Sequence, residues 1–300
     1  MQLEPSDIFI CSYPKSGTTW TQHIVISLLL RHNKQIQKKR SGTNTLHDIE
    51  YNHVSDFAPF FEIDPHWKRT TPGQFIPDIQ KRHEQLGRRV FNTHLRGNML
   101  PTQMKNRNSG RPKIIYIVRN PLDACVSFYY HLSHQHEGCY ESSLHQFFKD
   151  WIDGKIPFGT WAEHILSYAP LLAEKSVLFI TYEEMIVNLR ETVDRIAKYL
   201  ELDDVLQEKD IDELMPTFTF DSMKKDLTMF QPKSVTWKND FKFLRRGVIG
   251  DSSRELSEEE VATFEKHLNE IHFIPKLRCM LMSFMDCSDC SEIISRIYNA

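Results

Sequence analysis

Residues 7–30 read DIFICSYPKSGTTWTQHIVISLLL, and the order of residue types in this stretch decides the fold. An apolar, β-branched run (Ile8-Phe9-Ile10) leads through Cys11 and Ser12 to a cluster of turn formers, Tyr13-Pro14-Lys15-Ser16-Gly17. Beyond Thr18 the apolar residues return at helical spacing as far as Leu30. A strand over Asp7–Tyr13, a tight turn and a helix over Thr18–Leu30 follow from that change of period. The start of such a helix presents unpaired backbone N–H groups and the positive end of the helix dipole, which suits a phosphate or sulfate. Gly17 lets the chain pass close to the anion, Lys15 adds a point charge, and Ser16, Thr18 and Thr19 add hydroxyls. A plain strand–helix turn capped by Ser16 or Thr18 would explain the hydroxyls but not a lysine in the same turn. A Walker A loop is excluded, because the lysine precedes the glycine and no glycine opens the loop.

The same alternation continues along the chain. Strands are expected at Arg89–Thr93, Lys113–Val118 and Val177–Thr181, and helices at Leu122–His134, Leu189–Tyr199 and Ser257–Ile271. In the last of these Ser257 stands three residues before Glu260, the spacing of a capping box. Repeated strand–turn–helix order implies an α/β fold: a single domain over residues 1–285, with a central, mostly parallel sheet flanked by helices and a P-loop-like donor site. Residues 286–300 read as a flexible C-terminal tail. Ligands in such sheets bind at the carboxyl ends of the strands. Two polar stretches, Arg31–Asp48 and Phe218–Ile249, lack periodicity and read as loops.

Composition narrows the function classes. With 37 Lys and Arg against 40 Asp and Glu, the net charge is −3, which argues against a general nucleic-acid partner. The Ile24–Leu30 run is too short to cross a membrane and has no basic flank or cleavage site, so the cytoplasm is the expected location. Six scattered cysteines do not form a disulfide framework, and Cys287-x-x-Cys290 has no second pair to complete a zinc site. His131, His134, His136 and Cys139 lack metal-ligand spacing and read as structure or acceptor pocket, so no metal is expected.

Residues 113–131, KIIYIVRNPLDACVSFYYH, place Arg119 at a strand end and Ser127 two turns into the next helix. Arginine matches phosphate in a bidentate way; an ion pair with Asp123 accounts for it equally well. His94 follows a strand and can accept a proton near neutral pH, but it is one of 14 histidines.

YPKSGTTW (residues 13–20) resembles the donor-binding signature of the cytosolic sulfotransferases. The resemblance extends in the family's order over roughly residues 7–275, through THL at 93–95, VRNPLD at 118–123 and FLRRG at 243–247. It implies a soluble enzyme that moves the sulfuryl group of 3′-phosphoadenosine-5′-phosphosulfate (PAPS) to a small-molecule hydroxyl or amine. The product would be adenosine 3′,5′-bisphosphate (PAP). By that resemblance Lys15 stabilises the leaving phosphate, Trp20 stacks on adenine, and Arg119, Ser127, Arg245, Arg246 and Gly247 hold the 3′-phosphate. Tyr182, Phe220 and Met223 approach the base, His94 is the general base, and Phe60 and Phe61 wall the acceptor.

Three departures from the family stand out. Asn92 replaces a lysine that could contact the sulfuryl group, and Ser252-Ser253 replace Trp-Lys. The motif of the family's homodimer is not recognisable. A nucleotide kinase or NTPase, and a catalytically weak nucleotide-binding relative, remain as alternatives.

Overall fold

Strand residues that alternate between two apolar faces must be covered on both sides, and four strands here do so. The computed structural model describes residues 2–41, 51–62, 77–104, 111–172, 177–282 and 287–298. Strands β1 (Ile8–Ser12), β2 (Val90–Thr93), β3 (Lys113–Val118) and β4 (Val177–Thr181) form one sheet in the order β2-β1-β3-β4, every pair parallel. Phe9 and Cys11 of β1, Phe91 of β2 and Ile114, Tyr116 and Val118 of β3 enter one core; Ile8, Ile10, Val90, Ile115 and Ile117 enter the other. Each face is closed by helices, as the apolar content of both faces requires. The four expected strands are therefore present, within a residue or so of the expected ends.

Because the strands are parallel and in register, their carboxyl ends share one edge. The residues that follow those ends are Tyr13, His94, Arg119 and Tyr182.

The helices correct the sequence reading in three places. The first, α1, runs over Thr18–Ser41, so Arg31–Ser41 is helix and not loop. The remainder of that expected loop lies outside the described residues. Gln, Lys and Arg are good helix formers, the closing Lys38, Lys39 and Arg40 complement the helix dipole, and Arg31 pairs with Asp210 and Glu213. The Phe218–Ile249 stretch contains a short helix at Phe220–Lys225 and a 3-10 turn at Leu227–Met229. A bridge between Gln135 and Trp237 anchors its remainder. Third, the residues expected as a flexible tail include a helix, Cys287–Tyr298, with Ile293, Ile294 and Ile297 buried. Arg296 ties it down through the Phe179 carbonyl and Glu184, each at 2.9 Å. The side chains of Cys287 and Cys290 lie outside the described residues.

Leu189–Tyr199 is helical as expected, and Glu258–Glu270 begins with the Ser257–Glu260 capping box. Among the described residues, no helix is long and apolar enough to cross a membrane.

One close approach holds the segment after β2. A Cβ added at Gly97 would lie 2.3 Å from the Ser167 carbonyl oxygen, while the Gly97 N–H donates to Ser167 Oγ at 2.8 Å. Gly97→Ala should therefore lower unfolding free energy by ~1–3 kcal/mol, measured by urea denaturation; wild-type stability would contradict this packing.

Candidate functional site

The loop after β1 is built to bare its amides. Lys15 and Gly17 both have positive φ, at 67° and 103°, which turns successive N–H groups into one concavity ahead of α1. Glycine is needed at position 17 for its conformation and for space, since a Cβ there would meet the Tyr182 ring at 3.0 Å. Beneath the loop, the Ser12 and Thr18 hydroxyls lie 2.6 Å apart. The loop opens on a cavity of about 920 Å³. Of the expected residues, Lys15, Gly17, Thr18, Thr19, Trp20, Phe60, His94, Arg119, Ser127, Tyr182, Phe220, Met223, Arg245, Arg246 and Gly247 line it.

Two expected residues do not line the cavity. Ser16 is buried with its Oγ unpartnered. Phe61 turns into the core, its ring 5.2 Å from Phe9 and 5.7 Å from Phe91. Adjacent residues on an extended segment point to opposite sides, so only Phe60 of this pair can form the wall.

His94 is held in one tautomer. Its Nδ1 lies 2.7 Å from the Ser12 carbonyl oxygen, which can only accept, so Nδ1 carries the proton and Nε2 keeps its lone pair. Burial, with a further contribution from the Lys15 charge, brings its pKa down to about 4. Phe60 and Phe158 set their rings edge-on to His94 at 5.1 and 5.4 Å. Phe158 does so from a left-handed backbone (φ 74°), a costly conformation for a bulky residue. The Tyr13 hydroxyl anchors the next residue through the Gly159 carbonyl at 3.0 Å.

Glu62 was not singled out in the sequence, yet it holds His94 in place. One oxygen accepts from the Thr93 hydroxyl at 2.7 Å and from the His94 N–H at 2.8 Å. Asn92, in place of the family's lysine, donates from Nδ2 to the Ala58 carbonyl at 2.7 Å. Its backbone also bonds Pro59 and Phe61. It therefore fastens the Phe60 segment to β2.

The cationic end is arranged for an anion. The Arg119 Nη atoms donate to the Lys15 and Val248 carbonyls at 3.1 and 3.4 Å, its guanidinium covers Tyr182 at 4.3 Å, and its Nε has no partner. The ion pair with Asp123 is a loose 3.9 Å contact. The carboxylate of Asp123 instead accepts the Gly250 and Ser252 amides, each at 2.8 Å, and so shapes the turn after the Arg-Arg-Gly run. Arg245 and Arg246 are both paired to buried Asp251 and contact Glu255. Those acids were not anticipated; only their spacing from the arginines hinted at them. Lys15 sits 4.1 Å above the Phe243 ring. Burial, then the charges of Arg119 and Arg245, brings its pKa down to about 7.

At the start of α1, Trp20 Nε1 donates to the Phe218 carbonyl at 2.7 Å and its ring meets Tyr182 edge-on at 5.9 Å. The histidine group at the end of the helix Pro121–Ser133 does not converge on one point: His134 Nδ1 bonds the Tyr130 carbonyl, and Cys139 donates to the Ser133 carbonyl.

Residues 5–277 match the model of the sulfotransferase domain. The chain belongs to the sulfotransferase family. Among its curated relatives is the luciferin sulfotransferase of Photinus pyralis, 30% identical over 88% of this chain and 71% of the relative. The amine sulfotransferase of Oryctolagus cuniculus is 26% identical over 90% and 81%. The structure of mouse sulfotransferase SULT7A1 complexed with PAP superposes with a TM-score of 0.62 at 23% identity, covering 93% of this chain and 90% of that one. Retinol dehydratase in complex with androsterone and PAP gives a TM-score of 0.65 at 20% identity, covering 90% and 81%. The enzyme class expected from the sequence, PAPS-dependent sulfuryl transfer, accords with this membership.

The lowered Lys15 pKa has a measurable consequence. In the empty site this ammonium loses its proton near pH 7, whereas a bound phosphate would hold the proton on. PAP affinity should therefore be full below pH 7 and fall as pH rises above it. Calorimetric titration of PAP from pH 6 to 9 tests this, and Lys15→Met should flatten that part of the profile. Arg119→Ala should weaken PAP by at least about tenfold, one charged hydrogen bond of ~1.5–3 kcal/mol being lost.

Proposed function

We propose that this chain transfers the sulfuryl group of PAPS to a hydroxyl or amine of a small-molecule acceptor by in-line displacement, with His94 as general base. The observation that carries this reading is that His94 and Lys15 line one cavity, with the Nε2 lone pair of His94 left unprotonated by the Nδ1 bond to Ser12. The acceptor atom attacks sulfur as Nε2 takes its proton; the bond from sulfur to the bridging oxygen breaks, and its electron pair leaves with the 5′-phosphate. Lys15 and the loop amides meet that growing charge, an electrostatic aid that operates best away from water. Arg119, Ser127 and the Arg245-Arg246-Gly247 run would hold the 3′-phosphate, and Trp20, Tyr182, Phe220 and Met223 the adenine.

The names of the relatives, a luciferin and an amine sulfotransferase, support a hydroxyl or amine acceptor. The aromatic wall of Phe60 and Phe158 around His94 favours a planar one. A cytoplasmic location follows from the resemblance to the cytosolic members.

His94→Ala should bind PAP nearly as well as wild type while turnover falls by ~10²–10⁴, the usual contribution of a positioned base. Transfer of labelled sulfate from PAPS to a panel of phenols, alcohols and amines measures this. Normal turnover by the variant on a good acceptor would remove His94 from the mechanism. Transfer abolished by chelation would favour the kinase-like alternative.

A further inference from the structure

The helix Pro121–Ser133 carries Ser127 and, one turn further on, His131, so both lie on the same face. Both line the cavity. Three aromatic rings surround the imidazole of His131: Trp237 at 5.2 Å, Phe243 at 5.9 Å and Phe128 at 6.4 Å. None of these rings offers an acceptor, and neither nitrogen of His131 has a hydrogen bond among the described residues. Nδ1 is sealed from solvent altogether. Buried polar groups are normally paired, so one that is not calls for an explanation.

The charge state restricts what that explanation can be. Burial first, then the charges of Lys15 and His94, pushes the pKa of His131 down to about 2. The ring is therefore neutral at any working pH and offers one donor and one acceptor. A second base is excluded by the same geometry, since nothing orients His131 as the Ser12 carbonyl orients His94. A neutral imidazole set in an otherwise aromatic wall is suited to recognising an uncharged polar group. Nδ1 is out of a ligand's reach, whereas Nε2 is not sealed and has no partner in the wall, so a partner for Nε2 can come only from the cavity. The wall itself is flat-sided: Phe60 and Phe158 stand at His94, and Phe128 and Phe243 beside His131.

We propose that His131 determines acceptor specificity by hydrogen-bonding a second hydroxyl on a planar aromatic acceptor whose first hydroxyl faces His94, which makes aromatic diols the preferred substrate class. The proposal rests on the sulfuryl-transfer reading of the site, and its test is a binding measurement so that the two can fail separately. A site built to bond a substrate hydroxyl discriminates strongly against the analogue that lacks it.

The test titrates 2-naphthol and the 2,3-, 2,6- and 2,7-dihydroxynaphthalenes into the protein by calorimetry, with and without saturating PAP. At least one diol should bind wild type about tenfold more tightly than 2-naphthol. His131→Phe, which keeps a ring but no polar atom, should bring the two within about twofold. His131→Gln, which retains a donor and an acceptor, should keep part of the preference, and neither change should alter PAP affinity. Equal binding of naphthol and every diol by wild type would overturn the proposal, as would a diol preference that survives in His131→Phe. A loss of PAP affinity in His131→Phe would assign the residue to the donor and also overturn it. Failure of wild type to bind PAP would instead count against the donor site, while the titrations without PAP would still read the role of His131.

Discussion

One hydrogen bond joins the two halves of the chemistry: His94 Nδ1 to the carbonyl of Ser12. Ser12 ends β1 and the donor loop begins beside it; His94 follows β2. The bond sets the tautomer of His94 and ties it to the strand from which the Lys15 loop departs. It exists because β1 and β2 are adjacent and parallel with Cys11 opposite Thr93, so that both chains leave the sheet at the same edge. A one-residue slip would turn the side chains of a whole strand to the other face. Register is secured at the far end of the strands, where buried Asp7 of the first strand's approach accepts Arg89 and the Glu4 amide.

The positive charge in the site is balanced in two different ways. Arg245 and Arg246 are neutralised by Asp251 and Glu255. Lys15 lies over the Phe243 ring, and Arg119 donates to two carbonyls and keeps only a loose 3.9 Å contact with Asp123, whose hydrogen bonds go to two backbone amides. Burial first, and then the charges of Arg119 and Arg245, loosen the proton of Lys15.

The fold was legible because its strands are short, apolar and punctuated, and because YPKSGTTW couples a strand to a helix start. The helix over Arg31–Ser41 was hidden by polarity: its stability comes from partners far along the chain, Asp210 and Glu213, which no local pattern reveals. The C-terminal helix was hidden for a similar reason, since Arg296 finds its partners on β4 and the helix after it, and the isoleucines at 293, 294 and 297 join a core built from elements remote in sequence. Most of the residues that line the cavity next to the loop could be named from their motifs. Glu62, Asp251 and Phe158 could not, because their roles are contacts with residues remote in sequence. Phe61 was misjudged because a run of two phenylalanines does not say which one faces inward.

The acid partners of Arg245 and Arg246 have a consequence for how the site fills. With Asp251 holding both guanidinium groups, and Asp123 holding the amides of Gly250 and Ser252, the loop is already folded around a resident carboxylate. A phosphate held by these arginines would trade places with an internal anion and would not have to order a disordered chain. Loop-ordering entropy would then be largely removed from the cost of association, and the displaced carboxylate would compete for the same arginines. Such a site is an ion exchanger loaded with its own counter-ion, and the strength of that internal competitor would set how readily a bound anion departs.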